Sequence, residues 1–164
     1  MKTRYKIILV VLIGMGLAIS FQFDLLYVPL FAPANSTDVE IKLEKTACYG
    51  PCPVYSVIIY GDGTVLYDGI NHVDNIGKST HQIPQEHVDD LVAMIYKLNY
   101  FSLKDRYAAN WTDDSTVITS VRIDNDQKTV TNYGHYGPDR LHEIEKKIDD
   151  LTNFILILEM KDEN

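Results

Sequence analysis

An apolar segment close to the N-terminus constrains the rest of the chain more than any other feature. The apolar run from Ile7 to Phe21 has no amphipathic face, and it follows three cations, Lys2, Arg4 and Lys6. Positive charge followed by such a run is the pattern of an export signal, and it holds the short N-terminal side in the cytoplasm. The sequence therefore predicts that everything after the run folds outside the cytoplasm.

The fate of this leader leaves two main alternatives. Residues 7–23 are just long enough to span a bilayer, so we expect them to anchor the chain with its C-terminal domain outside. Alternatively, the small residues Ala32-Pro33-Ala34 offer a cleavage site, and the domain is then secreted. A buried N-terminal helix is a third alternative. We assign residues 1–31 to the signal peptide or membrane anchor, 32–38 to a linker, and 39–160 to a single domain.

Strand and helix patterns alternate along residues 39–160. Period-two alternation or dense β-branched and aromatic residues predict strands, and these lie near Val39–Leu43, Val54–Tyr60, Thr64–Tyr67, His72–Gln82, Val117–Ile123 and Lys128–Tyr133. Helical spacing follows Pro84, with Asn99 as a C-terminal stop, and again follows Pro138. Strands in runs with helices after them predict an α+β domain. We expect an antiparallel sheet of about five strands with two helices on one face, in the order βββαββα.

The last helix carries a narrow apolar stripe, formed by Leu141, Ile144, Ile148, Leu151, Ile155 and Leu158. Their spacing of three and four residues favours packing along one seam. We expect the stripe to cover the sheet, and a coiled-coil dimer is the alternative.

The charge of the chain argues against one class of partner. Its formal net charge is −8. The leader contains more cations than acids, so the rest of the chain is more acidic still. Nucleic-acid binding demands clustered Lys and Arg to neutralise phosphates. Nucleic acid is therefore not an expected partner.

The two cysteines of the chain, Cys48 and Cys52, lie four residues apart around Gly50-Pro51. In an oxidising compartment such a pair is expected to form a disulfide. A thiol redox pair is one alternative, although the usual redox spacing has two intervening residues and opens a helix. A copper site of two thiolates is another, completed by one of the histidines: His72, His81, His87, His135 or His142.

The segment Cys48-Tyr-Gly-Pro-Cys-Pro-Val-Tyr55, followed by Gly61-Asp-Gly63 and Tyr67-Asp-Gly69, resembles the family called domain of unknown function 6438. The likeness extends from about Ile41 to Asp150. Members of that family commonly carry a signal or lipid-anchor leader. The resemblance implies a fold and a compartment, but no activity, cofactor or catalytic residue.

Aromatic loops supply the candidate binding residues. We expect a recognition surface among Tyr49, Tyr107, Trp111, His135 and Tyr136, because such side chains are typical of interfaces. Two tripeptides, beginning at Asn35 and Asn110, fit the N-glycosylation pattern.

The sequence contains neither Gly-x-Ser-x-Gly nor His-Glu-x-x-His, so we expect no catalytic site, no metal site apart from the cysteine alternative, and no cofactor. The prediction is an extracytoplasmic, non-enzymatic binding or structural module. Its partners would be the membrane, through the N-terminal segment, and a protein or envelope ligand. A thiol redox or copper-handling protein that uses Cys48 and Cys52 is the alternative.

Overall fold

The computed structural model describes residues 38–162 of the chain, and side chains through Leu156. The predicted leader, the linker up to residue 37 and the acceptor Asn35 lie outside the described residues. No helix within residues 38–162 combines the length and the hydropathy needed to cross a membrane.

Across residues 38–162, one seven-stranded sheet and two helices make up the fold. In chain order the elements are β1 (Val39–Lys45), β2 (Val54–Tyr60), β3 (Thr64–Asn71), β4 (Gly77–Gln82), α1 (Gln85–Lys97), a 3-10 turn (Tyr100–Ser102), β5 (Arg106–Ala108), β6 (Thr116–Ile123), β7 (Asp126–Tyr133) and α2 (Asp139–Asp162). The order across the sheet is β4-β3-β2-β1-β6-β7-β5, so β4 and β5 are the edge strands. Neighbouring strands are antiparallel except β5 and β7, which are parallel.

The α+β class is confirmed, but the predicted number of about five strands is wrong. The predicted connection from Tyr100 to Trp111 contains both the 3-10 turn and β5. With three residues, β5 is too short to show a period of two, and its pairing with β7 depends on tertiary contacts.

The predicted strand beginning at His72 is also wrong at its start. β3 continues to Asn71, and β4 begins only at Gly77. His72 has a φ of 51°, a left-handed conformation that an extended strand does not accommodate. The intervening loop folds closely over β3, because a Cβ at Gly69 would lie 1.9 Å from the Asn75 carbonyl oxygen. Only glycine permits that approach.

One face of the sheet and the inner faces of both helices form a single hydrophobic core. Residues alternate along β1, where Val39, Ile41 and Leu43 are buried and the residues between them are partly exposed. All members of the α2 stripe whose side chains are described are buried in this core: Leu141, Ile144, Ile148, Leu151 and Ile155. The stripe thus covers the sheet, as predicted. Asn99 has a φ of 53° directly after α1, which confirms it as a helix stop.

Four loops meet at one end of the sheet, which we call the cysteine end: residues 46–53, 72–76, 109–115 and 134–138. Backbone hydrogen bonds join three of them. Tyr49 N–H donates to the Asp113 carbonyl over 3.1 Å, and Gly134 N–H donates to the Ser115 carbonyl over 3.0 Å. The fold therefore gathers segments that are far apart in sequence at the site described next.

Candidate functional site

Cys48 and Cys52 form a disulfide at the cysteine end, with Cα atoms 5.7 Å apart. Two hydrogen bonds join the preceding Thr46 to Thr116 at the start of β6. The Thr46 N–H donates to the Thr116 carbonyl, and the Thr46 hydroxyl accepts from Thr116 N–H. The bond therefore closes a loop that is already fixed at its base. Neither sulfur is a thiolate here, and thiol redox or copper chemistry stays a prediction.

Four of the five residues predicted as a binding surface lie on loops at the cysteine end, and the fifth lies on an edge strand. Tyr49, Trp111, His135 and Tyr136 are exposed on loops at the cysteine end, and Tyr49 is 90% exposed. Trp111 is oriented by a hydrogen bond from its indole N–H to the Asp114 carboxylate over 3.0 Å. That bond is the main cause of the lowered pKa of Asp114. Tyr107 lies instead on the edge strand β5, half-buried against the core. Asn110 is exposed, and the binding and glycosylation roles remain predictions.

A partly buried polar contact links α2 to the ends of β1 and β2. Lys45 and Tyr55 face each other across the two strands. The Asp149 carboxylate accepts a hydrogen bond from the Tyr55 hydroxyl through one oxygen and forms an ion pair with Lys45 through the other. The Lys45 ammonium also lies 5.6 Å from the centre of the Tyr55 ring. Burial raises the pKa of Tyr55, and the Asp149 charge raises it further, so the hydroxyl remains a donor.

On one side of this contact lies a cavity of about 480 Å³, which we call the tyrosine cavity. The Tyr55 and Tyr67 rings lie 5.7 Å apart with a tilt of 35°. Burial raises the pKa of Tyr67, with contributions from Asp74 and Asp68. The wall also includes Lys45, Val73, Asp74, Asp149, Asn153 and Leu156. Apolar and aromatic walls with a few polar groups are typical of small-molecule sites.

On the other side lies a smaller cavity of about 230 Å³, the histidine cavity, lined by Lys45, Val117, His135, His142, Glu145, Lys146 and Asp149. Its Glu145 is buried and receives two hydrogen bonds from the Asn132 amide, over 3.2 and 3.1 Å. The Asn132 oxygen accepts from Gly137 N–H over 2.8 Å, which fixes the amide orientation. Burial is the largest cause that raises the pKa of Glu145, to about 7, and the Asp149 charge contributes in the same direction.

His135 and His142 lie beside this glutamate, with ring centres 5.9 Å apart. Potential ligand atoms of His135, His142 and Glu145 all lie within 4.8 Å of one another. Among the described residues, this is the only group of three or more His, Cys, Asp or Glu side chains that could share a metal ion. It contains neither cysteine.

The sequence predicts His135 as part of the binding surface and His142 only as an alternative partner of the cysteines. The predicted site does not include Lys45, Glu145 or Asp149. One signal was available for part of the cluster: His142 and Glu145 are three residues apart in a helical pattern, and so share a helix face.

No curated protein matches the chain significantly. The family model described as "Domain of unknown function (DUF6438)" matches residues 39–152, a range that contains every residue lining the histidine cavity. The match covers most of the chain and agrees with the resemblance seen in the cysteine segment. The chain therefore belongs to the domain of unknown function 6438 (DUF6438) family.

Proposed function

We propose that the protein is a non-enzymatic module that binds a small ligand outside the cytoplasm, held at the membrane by residues 7–23. The observation that carries the binding role is the tyrosine cavity. Its volume of about 480 Å³ falls within the range of small-molecule sites, roughly 300–1,000 Å³. The basic-flanked leader and the disulfide support a location in an oxidising compartment.

The charges around the cavity favour a neutral or cationic ligand over an anion. The Asp149 carboxylate and the Lys45 ammonium neutralise each other, so Asp74 leaves the wall with one carboxylate in excess. Lys45 is already paired with Asp149, so it is not available to an incoming anion. The two tyrosine rings offer an aromatic surface that attracts cations and apolar faces. An amino sugar or a small polyamine combines these properties.

Ligand-observed NMR on the purified full chain in detergent tests this proposal, with glucosamine and spermidine as the first probes. Asp74 is an exposed residue of the cavity wall, so Asp74→Asn removes a charge without disturbing the core. We expect weaker probe binding in this variant. The matched control is Asp90→Asn, a change at an exposed acid on α1. Equal binding by the wild type and Asp74→Asn, or no binding of either probe, would contradict the proposal for this cavity.

Intact mass measurement of the native protein tests the compartment and the anchor. A retained leader gives the full mass of 18.7 kDa, and cleavage gives a smaller chain. The same spectrum, with and without reductant, distinguishes the disulfide from the thiol alternative. Two free, rapidly reacting thiols, or copper bound through sulfur, would favour the redox or copper-handling function instead.

A further inference from the structure

A cluster of three metal-ligand side chains at the start of α2 has no role in the tyrosine cavity. His142 and Glu145 project from the same face of α2, and His135 reaches them from the loop that precedes the helix. The loop is short, and Gly134 and His135 both have left-handed backbone conformations, with φ of 65° and 50°. The turn returns the His135 ring to the helix.

The second observation is a buried nitrogen without a partner. Nε2 of His142 is inaccessible to solvent and makes no hydrogen bond to any residue that the structure describes. A buried polar atom left unpaired costs about 1–3 kcal/mol, so such atoms are generally satisfied by something. His142 belongs to a group whose potential ligand atoms lie within 4.8 Å of one another, so a shared cation bound through this nitrogen would satisfy it.

The charges that line the histidine cavity permit a cation there. Both lysines of the wall are paired: Lys45 with Asp149, and Lys146 with Asp150 over 2.6 Å. Glu145 is oriented by the buried Asn132 amide, the kind of outer-shell hydrogen bond that holds metal ligands in place. His135 is exposed, which provides a path for an ion to enter.

We propose that His135, His142 and Glu145 bind one divalent transition-metal ion, with Zn²⁺ as the best match. Two imidazoles and a carboxylate are ligands that suit Zn²⁺. Ca²⁺ and Mg²⁺ favour oxygen ligands, so this set binds them less well. Two atoms bound tetrahedrally to one Zn²⁺ at about 2.1 Å lie about 3.4 Å apart, so side-chain rotations that close the present separations, within 4.8 Å, bring the three ligands together. Three protein ligands leave a fourth position for water. Lys45 and Asp149 line both cavities, but the metal site does not depend on a ligand in the tyrosine cavity.

Calorimetric titration of the metal-free full chain with ZnCl₂ tests the proposal. We expect one equivalent to bind with a Kd below about 1 μM. Substitution of Co²⁺ should give visible absorption bands of a nitrogen- and oxygen-ligated site without a thiolate charge-transfer band. His135→Ala changes an exposed side chain and should fold normally. We expect it to weaken Zn²⁺ binding more than about tenfold, and His142→Ala to do the same.

His87→Ala is the matched control, because His87 lies on α1 against Phe154 and outside the cluster. Its Zn²⁺ affinity should equal that of the wild type. The proposal is overturned if no equivalent of Zn²⁺ binds. It is also overturned if His135→Ala, folded by circular dichroism, retains the wild-type affinity and Co²⁺ spectrum. Probe binding in the tyrosine cavity, measured separately in the presence of a chelator, keeps the two proposals distinguishable.

Discussion

The hydroxyl of Tyr55 donates a hydrogen bond to the carboxylate of Asp149, a residue 94 positions further along the chain. The same carboxylate pairs with Lys45, so one helix residue joins the ends of two strands. Lys45 and Asp149 are mostly buried, with side chains 18% and 22% exposed. This contact forms the common wall of the two cavities.

Removal of the shared carboxylate should destabilise the protein more than removal of either partner's polar group. Asp149→Ala leaves an ammonium and a hydroxyl without their partner, and we expect a loss of about 1–3 kcal/mol in the free energy of unfolding. Tyr55→Phe should cost about 1 kcal/mol, and the double variant should be less destabilised than the sum. Urea denaturation measures all three. The control, Asp150→Ala, removes the partner of exposed Lys146 and should change stability by less than about 0.5 kcal/mol.

The disulfide should contribute only modestly to stability. Its ring is short, with a sequence separation of 4, and the chain-entropy estimate for such a ring is about 2 kcal/mol. We expect the variant with both Cys48→Ser and Cys52→Ser to lose about this amount in urea denaturation. Reductant should lower the stability of the wild type to the same level and leave the double variant unchanged. A sensitivity to reductant in the double variant would show that the effect does not come from this bond.

Asn99 should tolerate glycine better than alanine. Its left-handed conformation ends α1, and a residue with a β-carbon costs about 1–2 kcal/mol there relative to glycine. Asparagine adopts this conformation more readily than alanine does. Asn99→Ala should therefore lower the midpoint of thermal unfolding, whereas Asn99→Gly should leave it nearly unchanged. If alanine proves the more stable of the two, the helix does not end through this residue.

Stability should fall as pH rises through the range in which Glu145 titrates. The folded carboxyl has a pKa of about 7, raised from 4.5, so between these values it retains a proton that the unfolded chain has released. The folded state is thereby favoured at the acidic end of the window, and this advantage is lost as pH rises through 7. Its full size is on the order of 3 kcal/mol.

Denaturation of the metal-free protein from pH 4.5 to 8, with chelator present, measures this slope. Glu145→Gln has no titrating carboxyl and should remove the part of the slope that Glu145 contributes. Asp62 and Asp114, whose pKa values are lowered from 3.8, act below this window. An identical pH profile for the wild type and Glu145→Gln would contradict the raised pKa.

The helices, most strands and the disulfide could be predicted because each depends on a local pattern. The spacing of the α2 stripe is enough to predict the buried face of the helix. Cys48 and Cys52 lie close in sequence, so a disulfide between them is expected in an oxidising compartment. The polar site could not be predicted in this way. Lys45 has the parity of the buried Val39, Ile41 and Leu43 in β1, but a charged residue at the end of a strand does not reveal its partner, and Asp149 lies in a charged stretch of a helix. Only the pairing of β1 with β2, and the position of α2 across them, brings Lys45, Tyr55 and Asp149 together.

The two edge strands have a consequence for this protein at high local concentration. An edge strand exposes unpaired backbone groups to which another chain can add, and long apolar edges lead to aggregation. Here one edge, β4, contains only glycine and polar residues, and the other, β5, is three residues long. Neither offers an apolar template of useful length, so adjacent copies can crowd together without extending one another's sheets.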